Sequence, residues 1–167
     1  MIRTVSLLLL ALTTTAAAAA DQPAASPLGV LAALEGRWEG TGTILGQPSR
    51  VEIEWSRTLE ARFMKLTFVS HIGPSRRFEG HAYYQPSSQG RFRATWFDSS
   101  GQVRPIAATG TEVALVAAWG TPDTEEGETT YRLTSPDRMD VVDRVKSKDG
   151  MWREFGRSTL SRTLQPE

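Results

Sequence analysis

The sequence predicts an all-β protein, an antiparallel up-and-down barrel of about ten strands behind one short N-terminal helix. Three observations lead there. After Gly36 the apolar residues recur at every second position to the end of the chain. Turn residues separate the runs at the roughly 8–12-residue spacing of a sandwich or barrel. No long stretch of 3.6-residue period interrupts them, which excludes a parallel α/β sheet. The connections are short enough to join neighbours, and closing the meander removes the two exposed edges it would otherwise carry. A barrel of that strand count has an interior slightly larger than side chains alone fill.

The 167-residue chain begins with a segment that reads as an export leader. Arg3 is its basic start, Val5 to Leu12 its apolar run, and Ala18-Ala19-Ala20 before Asp21 its cleavage site. The apolar run is far shorter than the roughly 20 residues of a membrane span. With no cysteine there is no acceptor for lipid and no disulfide. The expected product is exported, to the periplasm or the medium, and not inserted in a membrane. Cleavage after Ala20 leaves 147 residues. It removes one of 19 basic residues and none of the 19 acidic ones, so the mature chain carries a single net negative charge. Such a balance offers no field for nucleic acid.

Residues 21–26 form a Pro/Ala/Ser linker, and a single domain is expected over 27–164. Ser26 can cap a helix whose first turn takes Pro27. Leu28, Val30, Leu31 and Leu34 give that helix an apolar face, and Gly36 stops it. Strands then follow. Trp38, Gly40, Gly42 and Ile44 alternate with polar residues, as do Val51, Ile53 and Trp55, then Met64, Leu66 and Phe68. A His71 to Arg77 loop precedes a fourth strand, Phe78 to Gln85. Pro86 to Gly90 turns the chain into Phe92, Ala94 and Trp96, and Asp98 to Gly101 turns it again. Gln102 to Thr109 carries Pro105 and is expected to be short, bulged or at an edge. Val113, Leu115, Ala117 and Trp119 come next, then the acidic loop Thr121 to Glu126. Thr129, Tyr131 and Leu133, then Met139, Val141 and Val145, then Trp152 to Leu160 complete the series.

Gly36-Arg-Trp38 after a short helix and before a meander resembles the G-x-W start of the calycin superfamily, which includes lipocalins and fatty-acid-binding proteins. The longer Gly36-Arg-Trp-Glu-Gly40-Thr-Gly42 is similar to the start shared by nitrobindin-type haem barrels and a related bacterial exported family of unknown function. Ala61-Arg-Phe63, Gly80-His-Ala-Tyr-Tyr84, Trp96-Phe-Asp-Ser-Ser-Gly101 and the Trp152 to Arg162 ending resemble that second family as well. The resemblance implies a lipocalin-like barrel in which Trp38 packs at the closed end against an arginine of the last strand, Arg157 or Arg162, by a cation–π contact of about 0.5–2 kcal/mol. Nitrobindin-type barrels hold iron with a histidine of the last strand. The position most similar to it holds Phe155, which cannot coordinate iron, so no haem, cofactor or metal is expected.

Chemistry-bearing motifs are scarce. There is no G-x-S-x-G, H-E-x-x-H or phosphate loop, and Gly40-Thr-Gly42 leads into a strand rather than a helix. His71, beside Arg76 and Arg77, reads as solvent-exposed. Glu79, His81 and Tyr83 alternate on one face of the fourth strand. If that face points in, a carboxylate, an imidazole and a phenol line the cavity. If Phe78, Gly80, Ala82 and Tyr84 face in, the polar set is surface, and the pattern leaves both open. Trp55 and Trp96, mid-strand on apolar faces, are pocket candidates, with Met64, Phe68 and Tyr131 completing an apolar lining. Trp119 and Trp152 lie near turns, with a rim or surface role. The expected function is to bind a small apolar or amphipathic molecule through Trp55, Met64, Phe68, His81, Tyr83, Trp96 and Tyr131. The alternatives are an isomerase or cyclase using His81, Glu79 and Tyr83 inside the barrel, and a ligand-free barrel acting through its surface on a protein partner.

Overall fold

The computed structural model describes residues 28–88 and 90–163. The leader over 1–20, the linker over 21–26 and the capping Ser26-Pro27 lie outside the described residues. One helical turn, α1 (Val30–Leu34), precedes ten strands: β1 (Gly36–Ile44), β2 (Gln47–Thr58), β3 (Phe63–Ile72), β4 (Arg76–Ser88), β5 (Arg91–Asp98), β6 (Val103–Gly110), β7 (Ala114–Trp119), β8 (Gly127–Ser135), β9 (Arg138–Lys146) and β10 (Trp152–Thr163). Each pairs antiparallel with its neighbour in sequence. β1 pairs with β10, running from Arg37 opposite Thr163 to Ile44 opposite Gly156, and closes the barrel. The expected up-and-down barrel is the observed one, and closure leaves no sheet edge among the described residues.

Several boundaries differ from the sequence expectation. β3 and β4 extend into the expected His71 to Arg77 loop, reducing it to the turn at Gly73, with His71 exposed on the end of β3. β4 likewise continues through Pro86 to Ser88 with a register shift there. β6 is neither at an edge nor bulged. The Gly120 amide donates to the Pro105 carbonyl, so residue 105 turns its backbone polar groups toward β7 at the last rung of that ladder. The N–H that proline lacks removes one bond where pairing is already ending.

The interior divides into two halves. The half next to α1 is solid, filled by Trp38, Ile53, Trp55, Met64, Leu66, Leu115, Met139 and Leu160, all buried. α1 plugs that end with Leu31 and Leu34. Trp38 Nε1 donates to the Leu34 carbonyl at 2.8 Å. The arginine over Trp38 is Arg162, 4.1 Å from the ring centroid. Its guanidinium also donates to the carbonyls of Ala33 (2.9 Å), Glu35 and Pro136, satisfying the helix's C-terminal acceptors. Arg157 does not share this role. It stands opposite Thr43 on the outer face, exposed, and pairs with Glu154, because only every second residue of β10 points inward. Gly36, at φ +121°, is required here, since a Cβ would meet the Arg162 guanidinium at 2.7 Å.

Candidate functional site

The half of the barrel away from α1 holds a cavity of about 410 Å³. Ile44, Ile72, Trp96, Ile106, Trp119, Val145 and Phe155 give it an apolar wall. Leu45, Ser100 and Glu125 from three turns, and Arg76 at the start of β4, stand exposed around its mouth. On one side, Phe68, Phe78 and Trp96 form an aromatic cluster with centroids 6.2–6.4 Å apart. On the other, Trp119 meets Phe155 edge to face at 6.4 Å. Tyr84 and Tyr131 reach the cavity from below, each 5.3 Å from Trp55, which supports them.

Two tryptophan rings lie flat only because glycine faces them. A Cβ on Gly80 or on Gly127 would stand 1.9 Å from the Trp96 or the Trp119 ring. Phe155 enters the cavity through a bulge, since the β10 register shifts between Glu154 and Gly156.

Polar groups punctuate this lining. Asp98, almost wholly buried, accepts from Trp96 Nε1 (3.0 Å), from the Ser100 amide (2.9 Å) and hydroxyl, and from Arg104 (3.2 Å). Burial would raise its pKa, yet the hydrogen bonds from Ser100, Trp96 and Gln102 outweigh that and hold the carboxyl below the ordinary aspartate range. Arg104 also pairs with Glu125 (3.2 Å) and lies 5.4 Å from the Trp119 ring centroid. Deeper on β9, Asp143 Oδ1 accepts from Thr129 Oγ1 at 2.7 Å, and Thr129 Oγ1 accepts from Trp119 Nε1 at 3.2 Å. Burial pushes the Asp143 carboxyl up to about 6, against the lowering by Thr129, with the charge of Glu154 adding to the rise. Asp143 is half-buried and lines the cavity. Burial raises the Tyr84 and Tyr131 phenols, so both stay protonated at neutral pH. Ser70, also on the lining, has a buried hydroxyl with no partner among the described residues.

Phe68, Trp96 and Tyr131 line the cavity, as the sequence pattern suggests. Trp55 and Met64 are buried beneath it in the solid half, not on its surface. His81 and Tyr83 are corrected outward, because the register of β4 turns Gly80, Ala82 and Tyr84 into the barrel. On the outside His81 sits between Glu79 (3.2 Å) and Thr67 (3.4 Å). The Arg77 guanidinium beside Glu79 holds that carboxyl below its usual range. An acid–base set of Glu79, His81 and Tyr83 is thus absent from the interior. Trp119 is a wall residue rather than a rim one, whereas Trp152 is exposed.

Asp143, Thr129, Asp98, Arg104 and Ser70 are not among the residues the sequence singles out. A signal for two of them is present all the same: Asp143 shares the inward parity of Met139, Val141 and Val145, and Thr129 that of Tyr131. A polar residue on the apolar face of a strand marks a cavity wall.

No protein-family model and no curated protein sequence matches the chain. Solved structures do match its fold. Rv2717c from M. tuberculosis is similar with a TM-score of 0.67 at 14% identity, over 84% of this chain and 99% of that one. The S-type phycobiliprotein lyase CPES from Guillardia theta is similar with a TM-score of 0.58 at 11% identity, over 81% of this chain and 92% of that one. At such identities the likeness is one of fold, a closed antiparallel β-barrel, and carries no chemistry.

Proposed function

We propose that the protein is an exported binding barrel that holds one small apolar or amphipathic molecule in the cavity away from α1. The observation that carries this reading is the cavity itself. About 410 Å³ stands open at one end of a barrel whose other end is packed solid. That volume lies within the range of small-molecule sites, and its composition, mostly apolar and aromatic with a few placed polar groups, is theirs too. A barrel acting only through its surface would gain stability by filling this space, since every lining atom facing a void forfeits dispersion contacts. The basic, apolar and small-residue succession over 1–20 supports export. Phe155 turns a hydrocarbon ring to the cavity where the nitrobindin resemblance would have an iron ligand, which supports an organic occupant without haem.

Native mass spectrometry of the mature protein, purified gently from its own host, tests the proposal. The expected result is a stoichiometric small mass on the chain, released on denaturation. Ala117→Trp, which fills the cavity from β7, is expected to abolish it. A bare chain mass, or an adduct that survives Ala117→Trp unchanged, would overturn the reading.

A further inference from the structure

We infer that the molecule the cavity takes carries a protonated nitrogen, an amphipathic organic amine or ammonium ion, seated on the carboxylate of Asp143. This rests on the binding reading above and narrows it to a chemical class.

Three features of the wall converge. The first is an unbalanced charge. Of the three carboxylates on the lining, Asp98 and Glu125 share Arg104, at 3.2 Å each. Asp143 has no basic partner among the described residues. From β8 it is faced by Thr129 and the Tyr131 phenol, and from β10 by Gly156 and the bulged Phe155, with the charge of Glu154 also bearing on it from that strand. Its own neighbours on the inward face of β9 are Val141 and Val145. Arg144 belongs to the opposite face of the strand, and Arg104 is held by its two acids. A buried carboxylate left without a cation is costly, and a cationic ligand is what would offset that cost.

The second feature is orientation. Trp119 Nε1 donates to Thr129, which leaves the threonine hydroxyl proton to donate to Asp143 Oδ1. One oxygen is thereby fixed and the carboxylate plane with it. The other oxygen lies over Gly156, where a Cβ would stand 2.8 Å away, so that residue brings no side chain onto it. The third feature is aromatic. Trp119, Tyr131 and Phe155 line the same side of the cavity as the carboxylate, and ring faces and edges around an anion suit an alkylammonium group, whose charge favours π-faces and whose carbons favour apolar contact. Opposite, the Phe68, Phe78 and Trp96 cluster gives the ligand's apolar part its surface.

Three probes with one skeleton test this on the mature protein: decylamine, decanol and decanoate, titrated at pH 7.5 by isothermal calorimetry. The wild type is expected to bind decylamine at least tenfold more tightly than decanol, and decanoate most weakly. Asp143→Asn keeps an acceptor for Thr129 and is expected to bring decylamine to within about twofold of decanol while leaving decanol unchanged. Wild-type affinity for decylamine is expected to fall as pH drops through about 6, where Asp143 takes a proton, with decanol unaffected. If decanol binds and decylamine binds no better, or if Asp143→Asn retains the amine preference, this inference is overturned and the binding barrel stands. Preference for decanoate would overturn it in favour of an anion held by Arg76 or Arg104. If none of the three binds, this inference is overturned, and the native mass measurement decides the binding reading separately.

Discussion

Asp143 shows how one side chain couples stability to function in this barrel. Burial pushes its carboxyl up to about 6 in the fold, from an ordinary value of 3.8. Between those values the folded state keeps a proton that the unfolded chain has released, so this residue's contribution to stability is full below about pH 4 and is lost as pH rises through 6. Asp143→Asn removes the ionisation and keeps the shape. It is expected to be more stable than wild type above pH 7, by up to about 3 kcal/mol, and to melt at a higher temperature there, with the gap closing by pH 4. Thermal unfolding at pH 4 and pH 8 measures this, and equal shifts at both would show that the group ionises normally. The residue is legible only in retrospect. Asp143 shares its parity with Met139, Val141 and Val145, but a single polar residue on an apolar face reads as noise until the neighbouring strands supply Thr129, Tyr131 and Phe155 around it. Conversely, Glu79, His81 and Tyr83 form a conspicuous pattern in sequence and lie outside, because alternation shows which residues share a face without showing which face is buried.

Among the elements, glycine on one strand and tryptophan on a neighbour recur as a pair. Gly80 of β4 lies beneath Trp96 of β5, and Gly127 of β8 beneath Trp119 of β7. Each glycine vacates the volume that a large flat ring needs to lie against the wall without crossing the cavity. Gly127→Ala would put a Cβ 1.9 Å from the Trp119 ring, so the ring must swing away and surrender its bond to Thr129. The expected cost is about 1–3 kcal/mol, accompanied by a shift in tryptophan emission. An unchanged melting temperature and spectrum would show that the ring has slack. The ten strands themselves were legible, since each carries its own alternation and its own turn residues. Their ends were less so. β3 and β4 run on through polar residues such as His71 and Arg76 because hydrogen bonding to a neighbouring strand extends a ladder past the point where one side chain pattern can announce it.

For the whole molecule, the two ends of the barrel are separate devices. One is a plug in which α1, Trp38 and Arg162 close the interior, and the other is a cup with an aromatic wall. Arg162→Ala removes the cation over Trp38 and the donors to Ala33 and Glu35, at an expected cost of about 2–4 kcal/mol. Ligand affinity of the folded variant is expected to stay within twofold of wild type, because the solid half separates the plug from the cavity. Urea denaturation and probe titration on the same protein check both parts, and a large change in affinity would mean that the ends communicate. The sequence by itself determined the all-β class, the number and order of strands and the short helix, since these depend on periodicity and turn chemistry that each segment carries alone, while the tryptophan at the closed end was implied by the resemblance of Gly36-Arg-Trp38 to the calycin start. Only the tertiary structure decided which face of β4 points inward, that Arg162 rather than Arg157 covers Trp38, and that Asp143 is left without a cation inside. Those outcomes depend on register and closure, where a shift of one residue sends every side chain of a strand to the other face, and on partners supplied by strands far apart in the chain.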